Sequence, residues 1–372
     1  MTTLVPLSRP SLGPREQAYV QDALASGWVS GTGPYVERFE AALAERLWRS
    51  HVVAVSSGTT ALELTLAALG IGPGDEVIVP ALTFAAPAAA VLTVGATPVL
   101  CDVSPADWTL DPAAAGELIT AHTRAVIAVD VLGHPCDYAA LARLGLPVIE
   151  DAAQAHGAAV GDAPAGSFGL ASVFSFHVNK AVTSGEGGCV ATDDAELAAR
   201  VRLLAHHGMT PQRPYVHEVA GRNGRMTNLT AALGLAQVER WEELVAARRR
   251  VGERYTAHAD GLGFGGRPVR PGVRASCWLH TVATDPATRE RLVRLGRVAG
   301  VDVRGIWPAL PELALYRDRA PRPWPVAAAV SRSCAWLPTS ADLTDEEIDR
   351  VVRAVLRPAA SGDPVVGPDL RY

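Results

Sequence analysis

From Val52 to Glu150 short apolar runs alternate with stretches whose apolar residues fall at helical spacing. The runs are Val52–Val55, Glu76–Pro80, Pro98–Val103, Ala125–Val131 and Pro147–Glu150. Between them lie a helical pattern through Leu69, one over 84–94 and one over Tyr138–Leu144. Strands apolar at nearly every position are those buried on both faces, and intervening helices are the crossovers that parallel strands require. The pattern predicts an α/β fold with a mostly parallel central sheet in a large domain. Right-handed crossovers then bring the strand C-terminal ends to one edge, where ligands collect.

Ahead of this core, helical spacing over 14–26 and 34–47 flanks the loop Gly31-Thr32-Gly33-Pro34. After Val190 the pattern changes. A helix over 194–206 leads to an irregular polar stretch, Gly208–Arg225, then to helices through Arg254. A shorter strand–helix pattern follows, with Trp278–Ala283, a helix over 286–299 and a last helix over 344–356. We expect a large domain over 12–254 and a smaller α+β C-terminal domain over 255–357, with residues 1–11 packed on the latter. The remainder, 358–372, reads as a poorly ordered tail.

A formal charge of −5, a pI near 6.1 and the lack of a basic block argue against nucleic acid or an anionic membrane as partner. The five cysteines (101, 136, 189, 277, 334) are scattered and never spaced C-x-x-C. That speaks against a disulfide framework or structural zinc, and for a reducing cytoplasm. No secretory leader is evident and no run of about 18 apolar residues occurs, so a soluble cytoplasmic protein is expected.

Three places carry chemistry. The segment V-F-S-F-H-V-N-K-A-V-T-S-G-E-G-G-C-V, Val173–Val190, delivers Lys180 into a loop between two apolar strands. Desolvation disfavours an ammonium there, and an amine held neutral can form a Schiff base; the alternative is a lysine that simply reaches solvent. Ser57-Gly58-Thr59-Thr60 joins a strand to a helix, which suits either a phosphate cradle or a plain N-cap. Asp151 ends a strand in I-E-D-A-A-Q-A-H-G, placed to meet a cation such as a pyridinium nitrogen, to cap a helix or to face solvent. Gln154 lies on the same wall, whereas His156 reads as a packed residue.

These sites fall in an order, the aspartate 29 residues before the lysine. Together with S-S-G-T-T-A-L (56–62), G-D-E-V-I-V-P (74–80), G-A-T-P-V (95–99), E-D-A-A-Q-A-H-G (150–157), F-S-F-H-V-N-K (174–180), G-E-G-G (185–188), G-R-N-G-R-M-T-N (221–228) and A-A-L-G-L-A-Q (231–237), they resemble the DegT/StrS family of sugar aminotransferases, pyridoxal-phosphate enzymes of fold type I. The resemblance spans Pro6 to Val352. It implies that Lys180 holds pyridoxal 5'-phosphate as a Schiff base and that Asp151 keeps the pyridine nitrogen protonated. It further implies that Gln154 faces the ring's 3-hydroxyl side and that Phe84 stacks on the ring. Gly58, Thr59, Thr60 and Ser175 would hold the phosphate, joined by Asn223 from the other subunit of a homodimer.

The implied reaction is amination of a nucleotide-linked 4-keto-6-deoxy sugar, with L-glutamate as donor. Relatives that instead dehydrate sugars carry histidine where this chain has Lys180, and a non-catalytic sensor of the same fold is a further alternative. Three features depart from the family pattern. Arg222 and Gly224 flank the asparagine in place of aromatic residues, Trp307-Pro308-Ala309-Leu310 replaces Y-P-x-H, and Gln154 stands where one branch shows glutamate.

Overall fold

In a computed structural model describing residues 4–210 and 212–361, the early apolar runs become β1 (His51–Val55), β2 (Glu76–Pro80), β3 (Thr97–Cys101), β4 (Thr123–Val129) and β5 (Val148–Asp151). A small hairpin, β6 (Ala159–Val160) and β7 (Ala163–Pro164), precedes the two strands that bracket Lys180, β8 (Ala171–Ser175) and β9 (Gly188–Thr192). One seven-stranded sheet has the order β1-β9-β8-β5-β4-β2-β3. Six of its strands run the same way, and β9 is reversed against both β8 and β1. The loop from 176 to 187 contains no helix to carry the chain across the sheet, so β9 returns antiparallel. The expectation of a mostly parallel α/β sheet holds; this reversal is the part that an apolar pattern does not encode.

Alternate residues of each strand enter different cores. Val77, Val79, Ala125 and Ile127 join one cluster, while Ile78, Val126 and Ala128 join another on the opposite face. That two-sided burial is why the strands are apolar throughout. The covering helices are α1 (Pro14–Ser26), α2 (Pro34–Leu47), α3 (Gly58–Ala68), α4 (Ala86–Thr93), α5 (Pro112–Gly116), α6 (Tyr138–Ala142), α7 (Ala195–Ala205), α8 (Asn228–Glu239) and α9 (Trp241–Asp260). The helix expected over 84–94 starts only at Ala86, with Pro87 in its first turn, which frees Phe84 to stand on the preceding loop. Between α7 and α8 the polar stretch carries no regular element among its described residues.

Beyond α9 two three-stranded sheets are completed. β10 (Val273–Arg274) joins the small hairpin, while β11 (His280–Ala283), β12 (Arg304–Gly305) and β13 (Cys334–Leu337) pair in the order β11-β13-β12. Helices α10 (Pro286–Ala299), α11 (Pro325–Ser333) and α12 (Asp345–Val351) accompany them, and Val251, Leu292, Leu337, Ile348 and Val355 share one core. Thr344 caps α12 with a reciprocal Glu347 bond. The helix does not stop at 356. A wider turn over Val352–Leu356 passes into Arg357–Ser361, which corrects the expected start of the tail; residues 362–372 lie outside the described residues.

The N-terminal segment reaches this region. Val5 bridges Val301, the Thr339 amide donates to the Leu7 carbonyl at 2.8 Å, and Arg9 bonds Asp342 and Glu347. No helix among the described residues is long and apolar enough to cross a membrane.

Candidate active site

The C-terminal ends of β1, β2, β5 and β8 border a cavity of about 370 Å³. Ser57, Gly58 and Thr59 line it from the β1–α3 turn, Thr83 and Phe84 from the segment after β2. Asp151 and Gln154 enter from β5, and Ser175 and Lys180 from β8 and its loop. Sequence positions as far apart as 57 and 180 therefore share one wall, because parallel strands end on the same edge.

The turn before α3 is a side-chain N-cap. The Ser57 hydroxyl accepts from the Thr60 amide at 3.0 Å and donates to the Thr60 hydroxyl at 3.0 Å. Thr60 is consequently set back: it braces Ser57 and does not line the cavity, unlike Ser57, Gly58 and Thr59. A Cβ at Gly58 would lie 2.9 Å from the Ser175 Cβ, so a side chain there would force the turn off β8.

Asp151 is 5% exposed, and its Oδ1 accepts from the Ala153 amide at 3.0 Å. Burial pushes its carboxyl up to about 6, against the opposing pull of the Ala153 amide and Lys180. The Nζ of Lys180 lies 4.3 Å from the centre of the Trp278 ring. Burial lowers this amine to about 8; Asp151 favours its charged form and Arg248 opposes it. The Gln154 side-chain oxygen accepts from the Leu132 amide at 2.7 Å, which leaves the amide nitrogen as its donor toward a ligand. His156 is packed among Phe174, Phe176 and Trp241, in keeping with its reading as a core residue.

The opposite wall was not foreseen as a group. Trp278, Trp307 and Trp336 pack on one another with ring centres 4.7 to 5.7 Å apart, and Phe84 stands 6.1 Å from Trp307. Only the pairing of β11, β12 and β13 brings these distant tryptophans together. Leu310 turns inward to the core, its amide bonded to the Ala81 carbonyl, and does not line the cavity. Arg222 pairs with Glu63, and the Gly224 carbonyl accepts from the Ser56 amide at 2.8 Å. Asn223, between them, is exposed and does not enter the cavity of its own chain. One plain signal went unused by motif reading: Lys180 is the only lysine in the 372 residues, all other basic side chains of the Lys/Arg class being arginine.

The DegT/DnrJ/EryC1/StrS aminotransferase family matches residues 10–356. The chain belongs to that family. It is a pyridoxal-phosphate-dependent aminotransferase of fold type I. Among family relatives, a GDP-perosamine synthase of Caulobacter vibrioides is 40% identical over 362 residues, covering 94% of this chain and 97% of its own. Spr1654 of Streptococcus pneumoniae in its pyridoxal-phosphate form superposes with a TM-score of 0.91 at 28% identity, covering 97% of this chain and all of its own. DesI, solved in the presence of its TDP-sugar product, gives a TM-score of 0.90 at 33% identity, covering 97% and 94%.

The atoms of this cavity fit the family's cofactor. Thr83 places a buried hydroxyl with no partner among the described residues on its lining, an orphan that a polar ligand would satisfy. The start of α3, with Gly58 free of a side chain, presents backbone N–H groups suited to a phosphate. Asp151 supplies a buried carboxylate for a ring cation, Lys180 a single amine, and exposed Phe84 a flat apolar face.

Proposed function

We propose that this chain transfers an amino group from L-glutamate to the C4 keto carbon of a nucleotide-linked 4-keto-6-deoxy sugar. Its setting in this reading is the cytoplasm, as a homodimer with shared sites. The observation that carries the reading is the meeting of the sole lysine with Asp151 in one cavity. The 4-amino position is supported by the full-length likeness to a GDP-perosamine synthase. A GDP sugar and a TDP sugar both occur in the names of relatives, so likeness alone does not select the nucleotide.

When bound, pyridoxal phosphate supplies a conjugated ring that accepts the electrons released as a proton leaves the donor α-carbon. Lys180 would hold the cofactor through its side-chain amine, and that amine would serve as the base that takes up the proton from the donor α-carbon. An amine lowered to about 8 suits that task near neutral pH. Asp151 would hold the ring nitrogen in its charged form. Ser57, Gly58, Thr59 and Ser175 would bind the phosphate, with Thr60 bracing the turn and Asn223 contributed by the partner subunit. Gln154 would bond the cofactor through its amide nitrogen, and Phe84 would offer it an apolar surface. The tryptophan wall shields the reacting atoms from water.

The test charges the purified protein with pyridoxamine phosphate and offers it GDP- and TDP-linked 4-keto-6-deoxy sugars beside their 3-keto isomers. Mass spectrometry should find an aminated product from a 4-keto sugar, and L-glutamate should restore the pyridoxamine form. Amination of 3-keto sugars alone would overturn the position, and dehydration without amination would overturn the reaction.

A further inference from the structure

Helix α9 carries three consecutive arginines, and helical geometry sends them to different surroundings. Arg250 is exposed and Arg249 half-buried, but Arg248 is 2% exposed. Its Nη1 donates to the Trp278 carbonyl at 2.7 Å. Its Nη2 faces the Ser8 hydroxyl at 3.0 Å, the Lys180 carbonyl at 3.1 Å and the Asn179 carbonyl at 3.3 Å. All of these acceptors are neutral, and its Nε has no hydrogen-bond partner among the described residues. A buried guanidinium without a bonded carboxylate is costly, and a neutral amide would tie the same carbonyls more cheaply.

Trp278 completes the arrangement. Its carbonyl is held by Arg248, its Nε1 donates to the Asn179 carbonyl at 3.1 Å, and its ring faces the Lys180 amine. We propose that Arg248 is a positioning residue for Lys180, a buried clamp that fixes the Asn179–Lys180 backbone directly and, through Trp278, the surface on which the amine rests. The proposal rests on the reading of Lys180 as the amine that holds the cofactor.

The charges around Lys180 agree with this role. Asp151 favours the ammonium and Arg248 opposes it, while His156 is kept neutral by burial. His177, Glu186 and Arg304 face the same cavity. An indole face attracts an ammonium, so Trp278 steadies the charged amine while the guanidinium eases loss of its proton. Of these groups, Arg248 alone among the described residues both bonds the lysine's own peptide and opposes its charge.

The sole lysine makes the test direct. Protein grown with 13C-lysine gives one side-chain signal, whose titration in the cofactor-free protein should have its midpoint near 8. Arg248→Met should raise that midpoint by about half a pH unit or more. It should also slow Schiff-base formation with added pyridoxal phosphate at pH 7.5 by roughly threefold or more. Trp278→Phe keeps the guanidinium and an aromatic face but loses the Nε1 bond and part of the pull on the ammonium, and should slow the same step without raising the midpoint. A folded Arg248→Met protein with wild-type midpoint and attachment rate would reduce Arg248 to a structural tie and overturn the proposal. Should that variant not fold, Trp278→Phe decides: wild-type attachment overturns the clamp, and slowed attachment supports it. Wild-type protein that never attaches pyridoxal phosphate at Lys180 would overturn the reading of the site itself, which the attachment assay distinguishes from an unshifted titration.

Discussion

Gly188 of β9 and Ser57 at the mouth of α3 meet backbone to backbone: a methyl group on residue 188 would lie 2.4 Å from the Ser57 carbonyl carbon. The reversed strand thus sets how deeply the β1–α3 turn sits over the sheet. Gly188→Ala should push Ser57 and Gly58 outward and weaken pyridoxal-phosphate binding by about tenfold or more, roughly 1.4 kcal/mol. Equilibrium titration of the folded variant checks this. Unchanged affinity would show that the turn is not the phosphate site.

Borohydride reduction of the cofactor-loaded protein, followed by peptide mapping, should place the pyridoxyl group on the peptide containing Lys180. With one lysine in the chain, the only competing amine of the given sequence is its N-terminal one, so the outcome is unambiguous. Lys180→Ala should still bind the cofactor non-covalently but turn over slower by orders of magnitude. Label elsewhere, or none, would remove Lys180 from the reaction.

Asp151→Asn should separate electronics from stability. Turnover should fall far more than cofactor affinity, since the proposed charge partner of the ring nitrogen is lost. In the cofactor-free protein the change should stabilise. The folded carboxyl titrates near 6 against 3.8 when unperturbed, so its stabilising contribution is present below 3.8 and lost as pH rises through 6. Asparagine does not titrate, so its advantage should grow across that window toward about 2–3 kcal/mol and stay level above it. Urea unfolding at pH 5 and pH 7.5 measures the difference. Equal stability at both values, with normal turnover, would make Asp151 a structural residue.

Asn223 should act across a two-fold dimer. Inactive Lys180→Ala mixed with inactive Asn223→Asp should regain activity on subunit exchange, because a mixed dimer gathers both lesions in one site and leaves the other intact. Heterodimers that form yet stay inactive would confine Asn223 to its own chain.

How much of this was legible depended on where the signal lies. The parallel strands could be read because two-sided burial writes itself as unbroken apolar runs, as in Val77–Val79. Asp151, Gln154, Ser175 and Lys180 could be placed because each ends a strand or follows one. The reversal of β9 could not, since Gly188–Thr192 would be equally apolar in either direction. Arg248 was hidden by its neighbours. Three arginines in a row suggest a solvated face, yet Trp241, Leu244, Val251 and Tyr255 put position 248 on the buried stripe of α9. The tryptophan wall had no local mark at all, because its members come from three separate stretches.

The thread of residues 5–9 carries one more consequence. Leu7 lines the cavity and the Ser8 hydroxyl donates to the Asn179 carbonyl, but Leu7 and Arg9 are themselves held by Thr339, Ser340, Asp342 and Glu347. Residues 5–9 therefore have no place to settle until residues 339–347 have left the ribosome. Contacts spanning such separations form late, after the local strand–helix units. The central sheet can assemble before then, but the cavity is sealed only once residues 339–347 have emerged, so a nascent chain cannot be an active enzyme before that stretch is made.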